Sequence, residues 1–256
     1  MLPHEQLAIV LLGLVFGSFL NVIIYRVPRD KSIIYPGSSC PLCSQKIPLY
    51  RNIPILSFIL QLGRCAQCKG HISFRYPLVE ALSALLWVGS FYKFSSVDII
   101  FSIWISSCVL SIIFIDFDKF IIPLQLIFVG LVVLPAQYFF SENYEISTTI
   151  LGLVVGVGYL GLIFILTSTL TGKQTLGYGD LFLIALLGSW LGPTQILAVI
   201  FFAAIAALAG WGIIGIISGN FDRNRRLPFG SFLGIVALIY HFFQPAILPI
   251  LELNNY

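Results

Sequence analysis

Charge is scarce in this chain. Only 10% of its 256 residues are Asp, Glu, Lys or Arg, against 58% hydrophobic, at a mean hydropathy of +0.98. So little polar surface cannot cover a water-facing globule, which excludes a soluble enzyme, and the excess of apolar residues excludes intrinsic disorder. Cysteine is also rare: five residues are too few for a disulfide-built secreted scaffold. The 22 glycines follow no triplet period, so the chain is not collagen-like. Internal repeats and low-complexity tracts are missing. What is abundant is long apolar runs, and they identify a polytopic membrane protein.

A bilayer core about 30 Å thick takes roughly 20 apolar residues per helix. Eight runs broken by polar clusters fit, at about 6–25, 78–94, 98–117, 121–140, 148–170, 181–192, 195–218 and 229–251. Backbone groups in lipid must pair within their own segment, and the runs do not alternate as ten-residue barrel strands do, so the spans are predicted to be helices. The apolar stretch after Asp180 breaks naturally only at Gly192-Pro193, which leaves the sixth span short. The predicted fold class is all-α and polytopic, with about eight transmembrane helices. Its predicted organisation is an N-terminal membrane helix (1–25), one extramembrane loop domain (26–76) and a seven-helix membrane domain (77–256).

Basic residues set the predicted orientation. With the N-terminus outside, the inner loops hold Arg26, Arg29, Lys31, Lys46, Arg51, Arg64, Lys69, Arg75, Lys119, Lys173, Arg223, Arg225 and Arg226, leaving only Lys93 outside. The outer 141–147 turn carries Glu142 and Glu145. The first run is not a cleavable signal peptide, because its positive flank follows the apolar stretch. It should stay as an N-out anchor, with 26–76 in the cytosol.

Within that loop, Cys40-Pro-Leu-Cys43 and Cys65-Ala-Gln-Cys68 repeat a C-x-x-C pair across 21 intervening residues. This is the spacing of a four-thiolate zinc ribbon, whose closed shell makes the metal structural. Two disulfides are the competing chemistry, disfavoured by a reducing cytosol. Cys108, alone within the third run, reads as a small buried hydrophobe.

Three of the six aspartates adjoin membrane spans on the inner side: Asp116 and Asp118 at the end of the third run, and Asp180 at the start of the sixth. A carboxylate at the bilayer centre costs about 2.5–3.5 kcal/mol on insertion scales, so such residues are functional candidates, although a helix end lets the side chain reach water cheaply. Asp180 closes Gly177-Tyr178-Gly179-Asp180, which reads either as a glycine-rich turn with Asp180 as helix N-cap or as a site that another backbone approaches closely. Two carboxyls brought together cannot both ionise, and the resulting base and acid can activate water against a peptide carbonyl. Asp116 and Asp180 lie on the same predicted face of the membrane.

These residues resemble the type IV prepilin peptidases, bifunctional membrane aspartic proteases that also N-methylate their products. The likeness runs nearly end to end, through Gly17-Ser-Phe-Leu-Asn-Val-Ile-Ile-Tyr-Arg26, both cysteine knuckles, Asn52-Ile-Pro54 with Gly63-Arg64, Ser73-Phe-Arg-Tyr-Pro-Leu-Val-Glu80, Ile115-Asp116-Phe-Asp118 and Gly177-Tyr-Gly-Asp180. The resemblance implies that Asp116 and Asp180 are the catalytic pair. Asp118 is then a bystander, in keeping with about 200° of helical rotation between it and Asp116. The family commonly has Pro-Asp shortly after the first motif, where this chain has Pro123-Leu124. Arg75 and Glu80 fit the pattern, or simply anchor the second span at the interface.

The implied activity is cleavage of the basic leader from prepilin or pseudopilin precursors at the cytosolic face of the inner membrane, serving a type IV pilus or a type II secretion apparatus. Methylation of the new N-terminus from S-adenosylmethionine would follow. Membrane lipids are expected partners and nucleic acid is not. A presenilin-type intramembrane protease shares G-x-G-D but lacks the cysteine loop. An ion-coupled transporter would place carboxylates in the membrane too, yet the paired broken helices of that class are missing. A purely structural zinc-bearing scaffold would tolerate loss of either aspartate.

Overall fold

The computed structural model describes residues 3–141, 145–172, 176–222 and 226–243. Glu142, Lys173, Arg223, Arg225 and the end of the eighth run, 244–251, lie outside the described residues. Among the described residues each of the eight apolar runs carries a helix, and a short ninth lies in the polar loop. In chain order they are α1 (Pro3–Arg26), α2 (Leu56–Leu60), α3 (Arg75–Lys93), α4 (Asp98–Lys119), α5 (Leu124–Phe140), α6 (Ile146–Thr171), α7 (Tyr178–Leu191), α8 (Pro193–Ser218) and α9 (Phe229–Phe243). Among the described residues no strand forms, and only two isolated bridges occur, Ser39 with Lys46 and Arg64 with His71.

Helices α1, α4, α6 and α8 are long and apolar enough to cross a membrane, whereas α5, α7 and α9 are apolar but shorter. The chain is a multi-pass membrane protein. The break in the long apolar stretch falls where the sequence places it: α7 stops at Leu191, Gly192 adopts φ +88°, and Pro193 opens α8. Pro123 likewise fixes the start of α5 at Leu124, three residues later than predicted.

Contacts divide the chain into two compact units, one up to Ile115 and one from Asp116 onward. In the first, α1 packs along α3. The buried positions of α1 (Ile9, Gly13, Gly17, Leu20, Asn21 and Ile24) recur every three or four residues and so share one face. A Cβ at Gly13 would sit 2.7 Å from Ala84 Cα, and one at Gly17 2.6 Å from Glu80 Cα, so the two backbones touch. Small residues four apart are how membrane helices reach such closeness. Phe16 packs against Trp87 with ring centroids 5.6 Å apart and planes tilted by 50°, and Gln6 Nε2 donates to Tyr92 Oη at 2.8 Å. Ser90 and Ser102, both buried, share a 2.8 Å hydrogen bond.

In the second unit α7 is the centre, packed by α5, α6, α8 and α9. A helix of 14 residues, about 21 Å long, is too short to span the hydrocarbon unaided. It is buried through Leu183, Ile184, Leu186 and Leu187, while Tyr178 and Phe182 near its start stay exposed. Against α6 the approach is limited by backbone alone, because a Cβ at Gly152 would overlap the Gly188 carbonyl oxygen and one at Gly188 the Gly152 carbonyl oxygen. Gly158, farther along α6, has nothing within 4 Å of its Cβ position. Overpacking a tight contact costs typically 1–3 kcal/mol, worth about 2–4 °C per kcal/mol in a chain of this size. Gly152→Ala should therefore lower the melting temperature in detergent by several degrees and Gly158→Ala should not, as followed by thermal unfolding.

Candidate active site and metal centre

Asp116 lies in the last turn of α4 with 5% of its surface exposed. Its Oδ2 accepts two hydrogen bonds from Ser231 at the start of α9, from the backbone N–H at 2.7 Å and from the hydroxyl at 3.0 Å. Asp180 is 8% exposed in the first turn of α7. It is not the N-cap, as one sequence reading had it. Gly177 takes that position, and Asp180, three residues on, turns back so that its Oδ2 accepts the Gly177 N–H at 3.2 Å. Asp118 is exposed, on the other side of α4 from Asp116.

The two carboxyls meet over Gly230. A Cβ there would stand 3.1 Å from Asp116 Oδ2 and 3.3 Å from Asp180 Oδ1, so a single point of space touches both groups. It would also press to 2.6 Å of Ile122 Cδ1, in the turn between α4 and α5. The glycines of G-x-G-D serve the same packing, since a Cβ at Gly179 would reach 3.0 Å from Ile122 Cβ and one at Gly177 3.2 Å from Asp180 Oδ2. Gly230, Ser231 and Ile122 were not singled out in the sequence. The signal that could have found the first two is Pro228-Phe-Gly-Ser231, a proline and glycine turn leading straight into an apolar run.

In the first unit the four loop cysteines converge, with all their sulfurs within 4.8 Å of one another and Cys40 Sγ 4.0 Å from Cys68 Sγ. All are free thiols, so the disulfide alternative is not realised. The knuckles are built alike. Cys40 N–H donates to Gln45 O and Ser44 N–H to Cys40 O, just as Cys65 N–H donates to Gly70 O and Lys69 N–H to Cys65 O. Ser44 and Lys69 close the two turns in the left-handed region, at φ 57° and 59°. Backbone N–H groups of Cys68 and Gln67 aimed at its sulfur bring the Cys65 thiol down to about 6. At Cys43 the Gln45 N–H favours the thiolate, yet burial and the neighbouring sulfurs outweigh it and push the thiol up to about 11. A four-sulfur cluster in which Cys65 ionises readily while Cys43 resists is one that a cation would complete. Cys108 is buried and apart, as expected.

Between the knuckles and the ends of α1 and α3 lies a cavity of about 470 Å³. Asn21 lines it, 3% exposed; its Nδ2 donates to Tyr76 O at 3.0 Å while its buried Oδ1 has no partner. Glu80 does not anchor α3 at an interface. It is buried, and its Oε2 accepts the Ile55 N–H at 2.7 Å. Ile55 sits at φ 58°, a conformation that β-branched residues avoid, so Glu80 holds a strained turn in place. Arg26 ties the far wall, donating to Ser32 O, Pro36 O and Gly37 O.

Comparison with known proteins matches the Bacterial Peptidase A24 N-terminal domain to residues 11–94 and the Type IV leader peptidase family to residues 100–213. Proteins named prepilin leader peptidase/N-methyltransferase from Pseudomonas putida and Neisseria gonorrhoeae are 32% and 33% identical, covering 89% and 88% of this chain and 87% and 85% of their own lengths. The chain belongs to the type IV leader peptidase family. A relative of the same name from Myxococcus xanthus is 34% identical over 84% of this chain and 63% of its own length. No solved structure matches. The family's two profile segments carry the features found here separately, the cysteine cluster in the first and the Asp116–Asp180 pair in the second. As a metal centre, the cluster should make Cys40→Ser and Cys65→Ser proteins purify without the bound metal that the unchanged chain and a Cys108→Ser control retain, measured by inductively coupled plasma mass spectrometry.

Proposed function

We propose that this protein is a membrane aspartic endopeptidase that removes the basic leader from prepilin or pseudopilin precursors and then N-methylates the new N-terminus. The observation that carries the peptidase reading is the meeting of Asp116 and Asp180 over Gly230. Two buried carboxyls this close hold one proton between them. The ionised member takes a proton from water as the water oxygen bonds to the scissile carbonyl carbon, and the protonated member donates to the carbonyl oxygen. The gem-diol collapses when the amine leaves with a proton. A precursor whose apolar helix lies in the bilayer and whose leader lies in the cytosol would present this junction at helix-end depth. The positive-inside pattern supports that orientation, with the N-terminus outside and the loop 26–76 in the cytosol.

The four-thiolate cluster fits zinc. Tetrahedral Zn–S bonds of about 2.3 Å place sulfurs roughly 3.8 Å apart, close to the Cys40–Cys68 separation of 4.0 Å. With four ligands the shell is closed, so the metal holds a loop too small to fold on a core of its own. The cavity suits S-adenosylmethionine, which supplies an electrophilic methyl group. The unpartnered Asn21 Oδ1 offers an acceptor to its cationic end, and Lys46 and Arg51 line the same cavity for its carboxylate. The 51-residue loop is too short for a dinucleotide-binding fold, so such a donor site is non-standard.

Asp116→Asn and Asp180→Asn should each lower cleavage of a prepilin substrate by about 100- to 10,000-fold while Asp118→Asn stays active. The readout is leader release followed by mass spectrometry, and near-normal cleavage by either amide variant would refute the aspartyl mechanism.

Methylation needs only a deprotonated, positioned amine. The same two variants should therefore still transfer labelled methyl groups to a pre-cleaved pilin in detergent. Asn21→Leu should raise the KM for S-adenosylmethionine about tenfold, the equivalent of one lost hydrogen bond.

A further inference from the structure

Nothing in the peptidase reading says which aspartate is the base, and burial does not decide it, because Asp116 and Asp180 are 5% and 8% exposed. Their hydrogen bonds differ sharply. Asp116 Oδ2 receives two donors from a residue that is itself fully buried, at 2.7 Å and 3.0 Å. Asp180 Oδ2 receives one donor, at 3.2 Å. The Ser231 N–H also points to Pro228 O, but at 3.1 Å, so the carboxylate has the shorter arm.

A backbone N–H can only donate, so the oxygen it faces must accept, which favours an ionised carboxylate over a protonated one. Two donors on one oxygen fill its lone-pair directions and leave no place there for a proton. The surroundings add no competing charge among the described residues. Ile122 and Gly230 are neutral, Asp118 and Lys119 point outward from the end of α4, and the titratable group that meets Asp116 is Asp180.

We propose that Ser231 is a positioning residue that fixes the division of labour in the pair, holding the negative charge on Asp116 and so making Asp116 the base and Asp180 the acid. The assignment rests on the peptidase reading above. With Oδ2 of Asp116 occupied by Ser231, Oδ1 takes the proton from water as the O–C bond forms. Asp180, whose Oδ2 is engaged by Gly177, carries its proton on Oδ1, the oxygen beside Gly230, and passes it to the scissile carbonyl oxygen. The pair holds one proton throughout: attack moves it from Asp180 to Asp116, and on collapse the departing amine takes the proton from Asp116 while a gem-diol hydroxyl returns one to Asp180, which restores the starting state.

The test is the pH dependence of kcat/KM for cleavage of a synthetic prepilin peptide by the full chain in detergent. The base must be ionised, so activity is present above its pKa and lost as pH falls through it. Ser231→Ala removes the hydroxyl donor and keeps the N–H. That should move the acid limb to higher pH by about one unit, a loss of about tenfold on that limb with much less change on the alkaline side. Ser231→Cys, nearly the same size with a weak donor, should fall between, and Ser231→Thr should restore the unchanged profile. A lower kcat with both limbs in place would overturn the proposal by reducing Ser231 to packing. A shift of the alkaline limb alone would overturn it by reversing the roles. Should Ser231→Ala fail to fold, the Cys and Thr variants still decide between these outcomes. Failure of the peptidase reading looks different, because Asp116→Asn or Asp180→Asn would then keep cleaving whatever Ser231 does.

Discussion

A helix too short for the bilayer governs the second half of this molecule. Helix α7 has 14 residues, and four other helices bury it. It is therefore fixed along its axis by packing rather than by matching its length to lipid, and its first turn is held at one depth. Asp180 inherits that fixity. The contact at Gly152 and Gly188 is the tightest part of the arrangement, since backbone meets backbone with no side chain to adjust. That packing sets where the Asp180 carboxyl stands relative to Asp116 across Gly230.

The opposite half solves a different problem, that of ordering a polar loop with almost no core. Three devices share the task. Arg26 gathers three carbonyls, Glu80 pins the strained turn at Ile55, and the cysteine cluster joins the two knuckles. Each exploits a group at or near the end of a packed membrane helix, or a potential metal bond, in place of hydrophobic burial. The loop can consequently leave many of its own apolar side chains exposed, Leu49 and Leu62 among them.

Much of this was legible in the sequence because it depends on local pattern. Among the described residues each of the eight apolar runs carries a helix, since length and hydropathy are properties of a single segment. Gly192-Pro193 marked its break because proline and positive-φ glycine act within two residues. The paired C-x-x-C spacing carried the cluster, and helical rotation alone separated buried Asp116 from exposed Asp118. What stayed hidden depends on contact across the chain. Ser231 lies 115 residues from Asp116, and a serine ahead of an apolar run has an ordinary explanation as a helix start. Asn21 sat inside a quoted motif with no role, because an orphaned carbonyl oxygen can be seen only once its neighbours are in place. The role of Glu80 stayed open between two readings for the same reason: its partner, the Ile55 N–H, belongs to a turn whose strained backbone no local rule suggests.

Gly230 carries a consequence for how such sites are recognised. It donates nothing to the chemistry, yet the position where its side chain would be is the point both carboxyl groups face. A methyl group there would stand against both carboxyls and press on Ile122. Selection on the reaction would thus act on an unfilled volume as strictly as on a reactive atom. Searches for catalytic residues that score only polar or titratable side chains would pass over it, although the shape of the site is set there.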